Sequence, residues 1–286
     1  MIRLVASDLD GTLFDDQHQL PLTNAEAIRE AQNKGITFMV ATGRNYKSVA
    51  PMFKRYNIRC SCLLLNGALI CDEQGTAVFE LPMELSTAAA VMKLLEKEDM
   101  CFHVYAKEGL VTTNGARGVI EFKKHMASRG LSEEEIEEMM KTSTFGQYDR
   151  EVESAAAYLK EEPVIYKLET FGSDAEKLQR VREQLREIEG IAITNSVADN
   201  IEVTDQLAQK GYSLSKYCET LGLAMDEVVV IGDSLNDLSM MELFPNSVAV
   251  ENAVSQVKEA AAYSTVRNSE FGVARVLRYI MEENQD

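Results

Sequence analysis

The apolar residues of this chain gather into short continuous runs separated by amphipathic ones. Residues 2–6 form a brief, β-branched, mainly apolar run that stops at Asp8-Leu9-Asp10-Gly11-Thr12, where the glycine marks a turn. The pattern predicts a buried strand ending in a polar loop. Thr23-Asn24-Ala25-Glu26 has capping-box spacing and opens an amphipathic run through Ile28 and Ala31 to Gly35, so a helix follows the strand. Residues 36–40 make a second buried strand, halting at Thr42-Gly43-Arg44. Toward the other end, 213–221 reads as a helix closed by Gly222, and 228–231 as a further strand stopping at Gly232-Asp233. Strands apolar on both faces and separated by helices predict an α/β fold, a parallel sheet with helices on both sides.

Between these segments the rhythm changes. From about residue 86 the pattern predicts a helix, a hairpin of 101–105 with 110–113, and acidic helices. Residues 164–171, a helix from Ser173, and the runs 191–194 and 201–204 then suggest a small α/β layer. Comparable strand-to-Asp endings are missing here. A second domain is therefore expected at 83–204, inserted into a first made of 1–82 and 205–286. Ser132-Glu133-Glu134-Glu135 repeats the capping-box spacing, so this glutamate cluster reads as a solvated helix start rather than a metal site.

Composition narrows the function classes. With 45% hydrophobic and 26% charged residues over 286 positions, the chain is an ordinary folded globular one. The 46 acidic and 29 basic residues leave a net charge of −17, and neither the middle stretch nor the remainder is basic, which argues against a nucleic-acid partner. No run approaches the roughly 18 apolar residues of a membrane span. Asp8 arrives too early for a signal peptide, so no membrane role and a cytoplasmic location are expected. Cys60, Cys62, Cys71, Cys101 and Cys218 lack zinc-site or disulfide spacing and read as buried free thiols. His18, His103 and His125 match no metal or triad spacing and are read as surface or inserted-domain residues without a role.

The chemistry is concentrated at strand ends. Ligands bind open α/β sheets at the carboxyl ends of parallel strands, and three such ends here carry Asp8 and Asp10, Thr42, and Asp233 with Asp237. Two acids one residue apart, freed to turn by Gly11, can meet one reacting atom in different roles: one attacks, the other moves protons. Carboxylates suit Mg²⁺, and phosphoryl transfer needs oxygens held while a hard cation neutralises charge. The Thr42 hydroxyl and Lys210, heading a helix with Ser213, would complete a phosphate cradle. Taken singly, an Asp-Gly after a strand is more often a plain turn, and Gly232-Asp233 a strand-to-helix turn. Four fixed residues in D-x-D-G-T, however, arise by chance in only about a few per thousand chains of this length at ~6% usage per residue. Asn66-Gly67 reads as a tight hairpin turn. Arg44 fits either a substrate contact or a helix-start arginine paired with a nearby acid.

The motifs D-L-D-G-T, A-T-G-R, Q-K-G and G-D-S-L-N-D, in this order, resemble those of the haloacid dehalogenase-like hydrolases. The large insert after the second motif is similar to the α/β cap of the Cof-type phosphatases. This resemblance spans essentially the whole chain. It implies a Rossmann-like parallel-sheet core with helices on both faces and an inserted α/β cap at 83–204 whose closure expels water and selects the leaving group. It also implies that Asp8 is the nucleophile that becomes phosphorylated and Asp10 the general acid and then base. Asp8, the main-chain carbonyl of Asp10 and Asp233 would hold Mg²⁺. Leu9, Thr42, Gly43, Lys210 and Asn236 would hold the phosphate, with Asp237 supporting the metal shell and Asn66 near the site. Leu207-Ala208-Gln209, before Lys210, departs from the family's usual Gly, small apolar, polar run.

The leading expectation is an Mg²⁺-dependent phosphatase of small phosphorylated metabolites: sugar phosphates, nucleotides or cofactor precursors. A phosphomutase would use the same phosphoaspartate, and a non-catalytic phospho-ligand binding or signalling protein is the alternative of another class. Receiver domains also combine acids, Mg²⁺, Thr and Lys, but they are far shorter and keep the acid pair and the phosphorylated Asp on different strands. Neither G-x-G-x-x-G nor G-x-x-x-x-G-K-[ST] occurs, so dinucleotide and P-loop binding have no support.

Overall fold

Strand β1 (Leu4–Ser7) is buried along its whole length, as a strand covered on both faces must be. It lies at the middle of an eight-stranded sheet in the computed structural model, which describes residues 1–128, 130–142, 147–195 and 199–284. The chain continues through α1 (Leu22–Asn33), β2 (Thr37–Ala41), α2 (Tyr46–Arg55) and β3 (Ser61–Leu64) to the short strands β4 (Leu69–Cys71) and β5 (Ala77–Glu80).

A second compact unit, Leu81–Leu207, begins here, while Met1–Glu80 and Ala208–Asp286 form the first. Its elements are α3 (Leu85–Lys97), β6 (Phe102–Ala106), β7 (Gly109–Thr112), α4 (Gly115–Ser128), α5 (Glu133–Thr142), β8 (Arg150–Glu151), α6 (Ala155–Leu159), β9 (Ile165–Phe171), α7 (Ala175–Leu185), β10 (Ile191–Thr194) and β11 (Asn200–Asp205). The first unit resumes with α8 (Lys210–Leu221), β12 (Val228–Gly232), α9 (Leu238–Leu243), β13 (Asn246–Val250), α10 (Ser255–Ala260), β14 (Tyr263–Thr265) and α11 (Gly272–Glu283).

The large sheet has the order β14-β13-β12-β1-β2-β3-β4-β5 and is parallel from β14 to β3. Helices cover both faces, with α1 against α11 and α8 against α9. Beyond β3 the sheet turns antiparallel, because a turn at Leu65, Asn66 and Gly67, with φ of 52°, 59° and 108°, folds β4 back on β3. Helix α8 ends at Gly222, whose φ of 63° lets Leu223 N–H reach the Cys218 carbonyl. The capping box anticipated at Thr23 does not form. Pro21 takes the N-cap position of α1, and Asn24 turns into the core, where Nδ2 donates to the Leu13 carbonyl at 2.7 Å and Oδ1 accepts from Ala274 N–H at 3.1 Å. Because the helix already begins at Leu22, Thr23 lies inside its first turn and not at the capping position.

In the second unit the sheet order is β10-β11-β9-β6-β7-β8, antiparallel except where β8 joins β7. One face packs on α3, α6 and α7 through Val91, Leu95, Tyr158, Leu168, Val181 and Ile201. The Ser132 cap does form: Glu135 Oε2 accepts from Ser132 N–H at 2.8 Å, and Glu135 N–H donates to Ser132 Oγ at 3.3 Å. All five cysteines are buried and free.

Candidate active site

β1 and β12 run side by side, and their carboxyl ends deliver Asp8 and Asp233 to the same edge of the sheet; Asp8 N–H donates to the Ile231 carbonyl at 2.9 Å. Past Asp8 the chain turns sharply through Gly11, at φ +82°. A Cβ at Gly11 would lie 2.7 Å from Asp233 Oδ2, so only glycine lets the loop approach that carboxylate. Thr12 Oγ1, one residue on, donates to Asp233 Oδ1 at 2.6 Å, and Ser234 Oγ donates to Oδ2 at 2.9 Å.

Lys210, the first residue of α8, is fully buried and lies between two acids, with Nζ 2.7 Å from Asp8 Oδ1 and 2.6 Å from Asp237 Oδ1. Asp237 is anchored by its other oxygen, which accepts from the main-chain N–H groups of Asp233 (2.9 Å) and Ser234 (3.0 Å). Ser213, one turn along α8, donates its hydroxyl to the Gly67 carbonyl at 2.7 Å and holds the β3–β4 turn.

Asp8, Asp233 and Asp237 bring carboxylate oxygens within 4.8 Å of one another. Burial pushes the Asp8 carboxyl well above its usual range; Lys210 opposes the rise and the neighbouring Asp237 and Asp233 add to it. Asp233 is raised by burial and by Asp237 as well. Burial works against the Lys210 ammonium too, but Asp237 and Asp8 outweigh it and hold the lysine charged. Three buried carboxylates thus face a single ammonium, and oxygen donors short of positive charge are what a hard divalent cation requires. Asp237 already takes three donors, Lys210 and two main-chain N–H groups, whereas Asp233 takes two hydroxyls and Asp8 only Lys210, so Asp8 and Asp233 keep the most lone pairs for such an ion.

Asp10 behaves differently. Its carboxylate meets Arg44 two-pronged, Nε to Oδ2 at 2.8 Å and Nη2 to Oδ1 at 2.6 Å, and His18 Nδ1 stands 3.0 Å from Oδ1. Burial pushes this carboxyl up, but hydrogen bonds and charge from His18 and Arg44 more than reverse that and hold it at about 2. Of the two readings open for Arg44, the structure shows the paired acid. His18, read from sequence as having no role, instead touches Asp10. Its only signal was a place in the polar loop after D-x-D-G-T, which no periodicity marks.

The remaining residues cluster at the same strand ends. Thr42 follows β2, is nearly inaccessible, and accepts from Arg44 N–H at 3.2 Å; Gly43 lies between them. Leu9 is fully buried, so it can offer a ligand only its main chain. Asn236 Nδ2 donates to Asn66 Oδ1 at 3.2 Å, while Asn236 Oδ1 is buried without a hydrogen-bond partner among the described residues. Asn66 is therefore both the turn residue expected and a neighbour of the site.

A family model for haloacid dehalogenase-like hydrolases matches residues 5–277. Among curated proteins, the chain is similar to the phosphatase YwpJ of Bacillus subtilis, at 29% identity over 98% of this chain and all of that one. It is also similar to the 5-amino-6-(5-phospho-D-ribitylamino)uracil phosphatase YcsE of the same organism, at 30% identity over 97% and 95% of the two chains. A solved haloacid dehalogenase-like hydrolase from B. subtilis superposes with a TM-score of 0.84 at 27% identity, covering 98% of this chain and all of that one. Among the described residues no helix is long and apolar enough to cross a membrane. Sheet order, the acids at its strand ends and the match over nearly the full length agree: the chain belongs to the haloacid dehalogenase-like hydrolases and is a phosphatase of that family.

Proposed function

We propose that this protein hydrolyses phosphate monoesters of small metabolites through a phosphoaspartate on Asp8. The observation that carries the reading is the pairing of one acid gripped by a buried lysine with a second acid, two residues on, held by a separate set of donors. Lys210 fixes Oδ1 of Asp8, which leaves Oδ2 to attack phosphorus. As the Oδ2–P bond forms, the P–O ester bond breaks and its electron pair leaves on the alcohol oxygen, which takes a proton from Asp10. Asp10, ionised in the free protein, takes up that proton from solvent as the ester binds. Left as a carboxylate by the transfer to the alcohol oxygen, Asp10 in the second half draws a proton from water as the water oxygen attacks phosphorus and the Asp8–phosphate bond breaks, and it then returns this proton to solvent. The net change is ester plus water to alcohol plus phosphate.

Lys210, Thr42, Gly43, Asn236 and the main chain at Leu9 are proposed to bind the phosphate oxygens, with Asp237 holding Lys210 in place. Mg²⁺ suits the donor set: Asp8, Asp233 and the Asp10 carbonyl would hold it, and when bound it neutralises charge on the phosphate. The unit Leu81–Leu207 contains none of these residues and is proposed to act as the cap that sets preference among leaving groups.

Phosphate release from an aryl phosphate tests the reading. Chelation should abolish turnover and added Mg²⁺ restore it; undiminished turnover in excess EDTA, with metal content checked, contradicts it. Asp8→Asn should remove turnover, since an amide cannot form the acyl phosphate. Asp10→Asn should reduce it by about 10²–10⁴, the usual span of acid–base catalysis.

A further inference from the structure

Asp10 differs from the other acids of the site in meeting a guanidinium through two nitrogens. Both of its oxygens are engaged, Oδ2 by Arg44 Nε and Oδ1 by Arg44 Nη2 and His18 Nδ1. A guanidinium that meets a carboxylate through two nitrogens fixes the plane of the group as well as its distance. Arg44 is itself held from behind: its guanidinium carbon lies 5.6 Å from the centroid of the fully buried Phe14 ring, its N–H donates to Thr42 Oγ1 and its carbonyl accepts from Leu65 N–H. On the other side His18 reaches Asp10 from a backbone held at φ +54°, and its side chain is 69% exposed against 29% for Arg44. One partner is rigid and braced; the other is on the solvent side.

We infer that Arg44 and His18 are positioning residues that act through Asp10. Arg44 holds the carboxyl plane throughout, and His18 is the partner that yields Oδ1 when the leaving oxygen needs it. The inference rests on the reading of Asp10 as proton donor and base. Of the two roles open to Arg44, it takes the pairing with a nearby acid, since both of its side-chain hydrogen bonds described above go to Asp10.

The test is a leaving-group series. With 2,4-dinitrophenyl phosphate the leaving oxygen departs without a proton; with phenyl phosphate it needs one. The quantity is the ratio of kcat/KM for the two esters within one variant, which cancels the fraction of active protein and reports only the phosphoryl-transfer half of the cycle. Arg44→Lys keeps the charge and removes the two-nitrogen fork. For it, and more so for Arg44→Ala, the ratio should shift against phenyl phosphate by about 10-fold or more, within the ~10²–10⁴ that acid catalysis supplies. His18→Gln should shift it in the same direction by less. Asp10→Asn sets the ceiling, and combining it with Arg44→Lys should add nothing to the ratio. Equal losses for both esters in the Arg44 variants, with a steep Asp10→Asn series, would overturn this inference and leave the reading of Asp10 standing. A flat Asp10→Asn series would overturn both.

Discussion

Each unit of this protein buries a lysine among carboxylates, and the two clusters differ in the shortfall of positive charge, three acids to one lysine in the first and two to one in the second. In the first unit Lys210 meets Asp8 and Asp237, with Asp233 beside them, at strand ends and helix starts drawn from opposite ends of the sequence. In the second, Lys167 lies mid-strand on β9, 3.1 Å from Glu202 on the adjacent β11 and 3.7 Å from Glu169, with its ammonium 4.4 Å from the centroid of the Tyr105 ring. There the acids have other donors: the Tyr105 hydroxyl gives to Glu169 at 2.6 Å, and Asn200 Nδ2 lies within 3.2 Å of Glu169 and 3.4 Å of Glu202. Burial pushes Glu169 up, yet Lys167 and the Tyr105 hydroxyl more than reverse that and keep it below the usual range. Asp8 goes the other way. Two acids to one lysine, with a phenol and an amide as further donors, leave Glu169 ionised in a network that braces a sheet, whereas three acids to one lysine leave Asp8 raised, as the proposed cation and phosphate site requires.

Replacing each lysine is the strongest way to break this contrast. Lys210→Met should cut turnover of an aryl phosphate by about 10²–10³, as loss of a donor to developing charge does. Removing one partner of a buried ion pair also costs about 3–5 kcal/mol of stability, which denaturant unfolding of the same variant measures. Lys167→Met should cost a similar ~3–5 kcal/mol but leave turnover of a small aryl phosphate per folded molecule at the parental level. Loss of that turnover without loss of stability would move the Lys167 cluster from bracing to chemistry.

Acidification sharpens the contrast further. Burial holds the His103 imidazole down at about 4, with Glu169 opposing and Lys167 assisting. The unfolded chain binds this proton near pH 6.5 and the folded one only near 4, so the stability conferred by the neutral ring is complete above about 6.5 and is lost as pH falls toward 4. His103 Nε2 lies 3.0 Å from the Tyr148 hydroxyl, a contact an amide can keep. His103→Gln should therefore flatten the dependence of melting temperature on pH between about 6.5 and 4; an unchanged slope would assign it elsewhere. Smallest in effect, Asp174→Ala removes the side chain that accepts from Lys177 N–H at the start of α7 and should cost about 1 kcal/mol with no change in turnover.

The parts legible in the sequence were those in which local pattern and chemistry coincide. Continuous apolar runs ending in Asp8, Thr42 and Asp233 marked strands of the parallel sheet, because a strand covered on both faces has no polar side to show. An acid partner for Arg44 was one of two readings, but its identity as Asp10 and the His18 contact were not legible, since they join a loop after β1 to a helix start after β2 and depend on side-chain direction. Thr23 misled for another reason: its spacing to Glu26 matched a capping box, but the helix starts earlier, at Leu22 with Pro21 as N-cap, so Thr23 lies inside its first turn. The Lys167 cluster left only a faint trace, the alternation of Lys167 and Glu169 with apolar residues along β9, and its partner Glu202 lies on another strand.

On the proposed reading, the charge-deficient cluster makes Asp8 the nucleophile. Rapid mixing with an excess of aryl phosphate and Mg²⁺, acid quench, borohydride reduction and peptide mapping by mass spectrometry tests it directly, because an acyl phosphate is reduced to an alcohol and a free carboxylate is not. The expected result is reduction confined to the Asp8 side chain, present only with substrate and absent from Asp8→Asn. Turnover that proceeds with Asp8 unmodified at every quench time, or with the label on another residue, would contradict it.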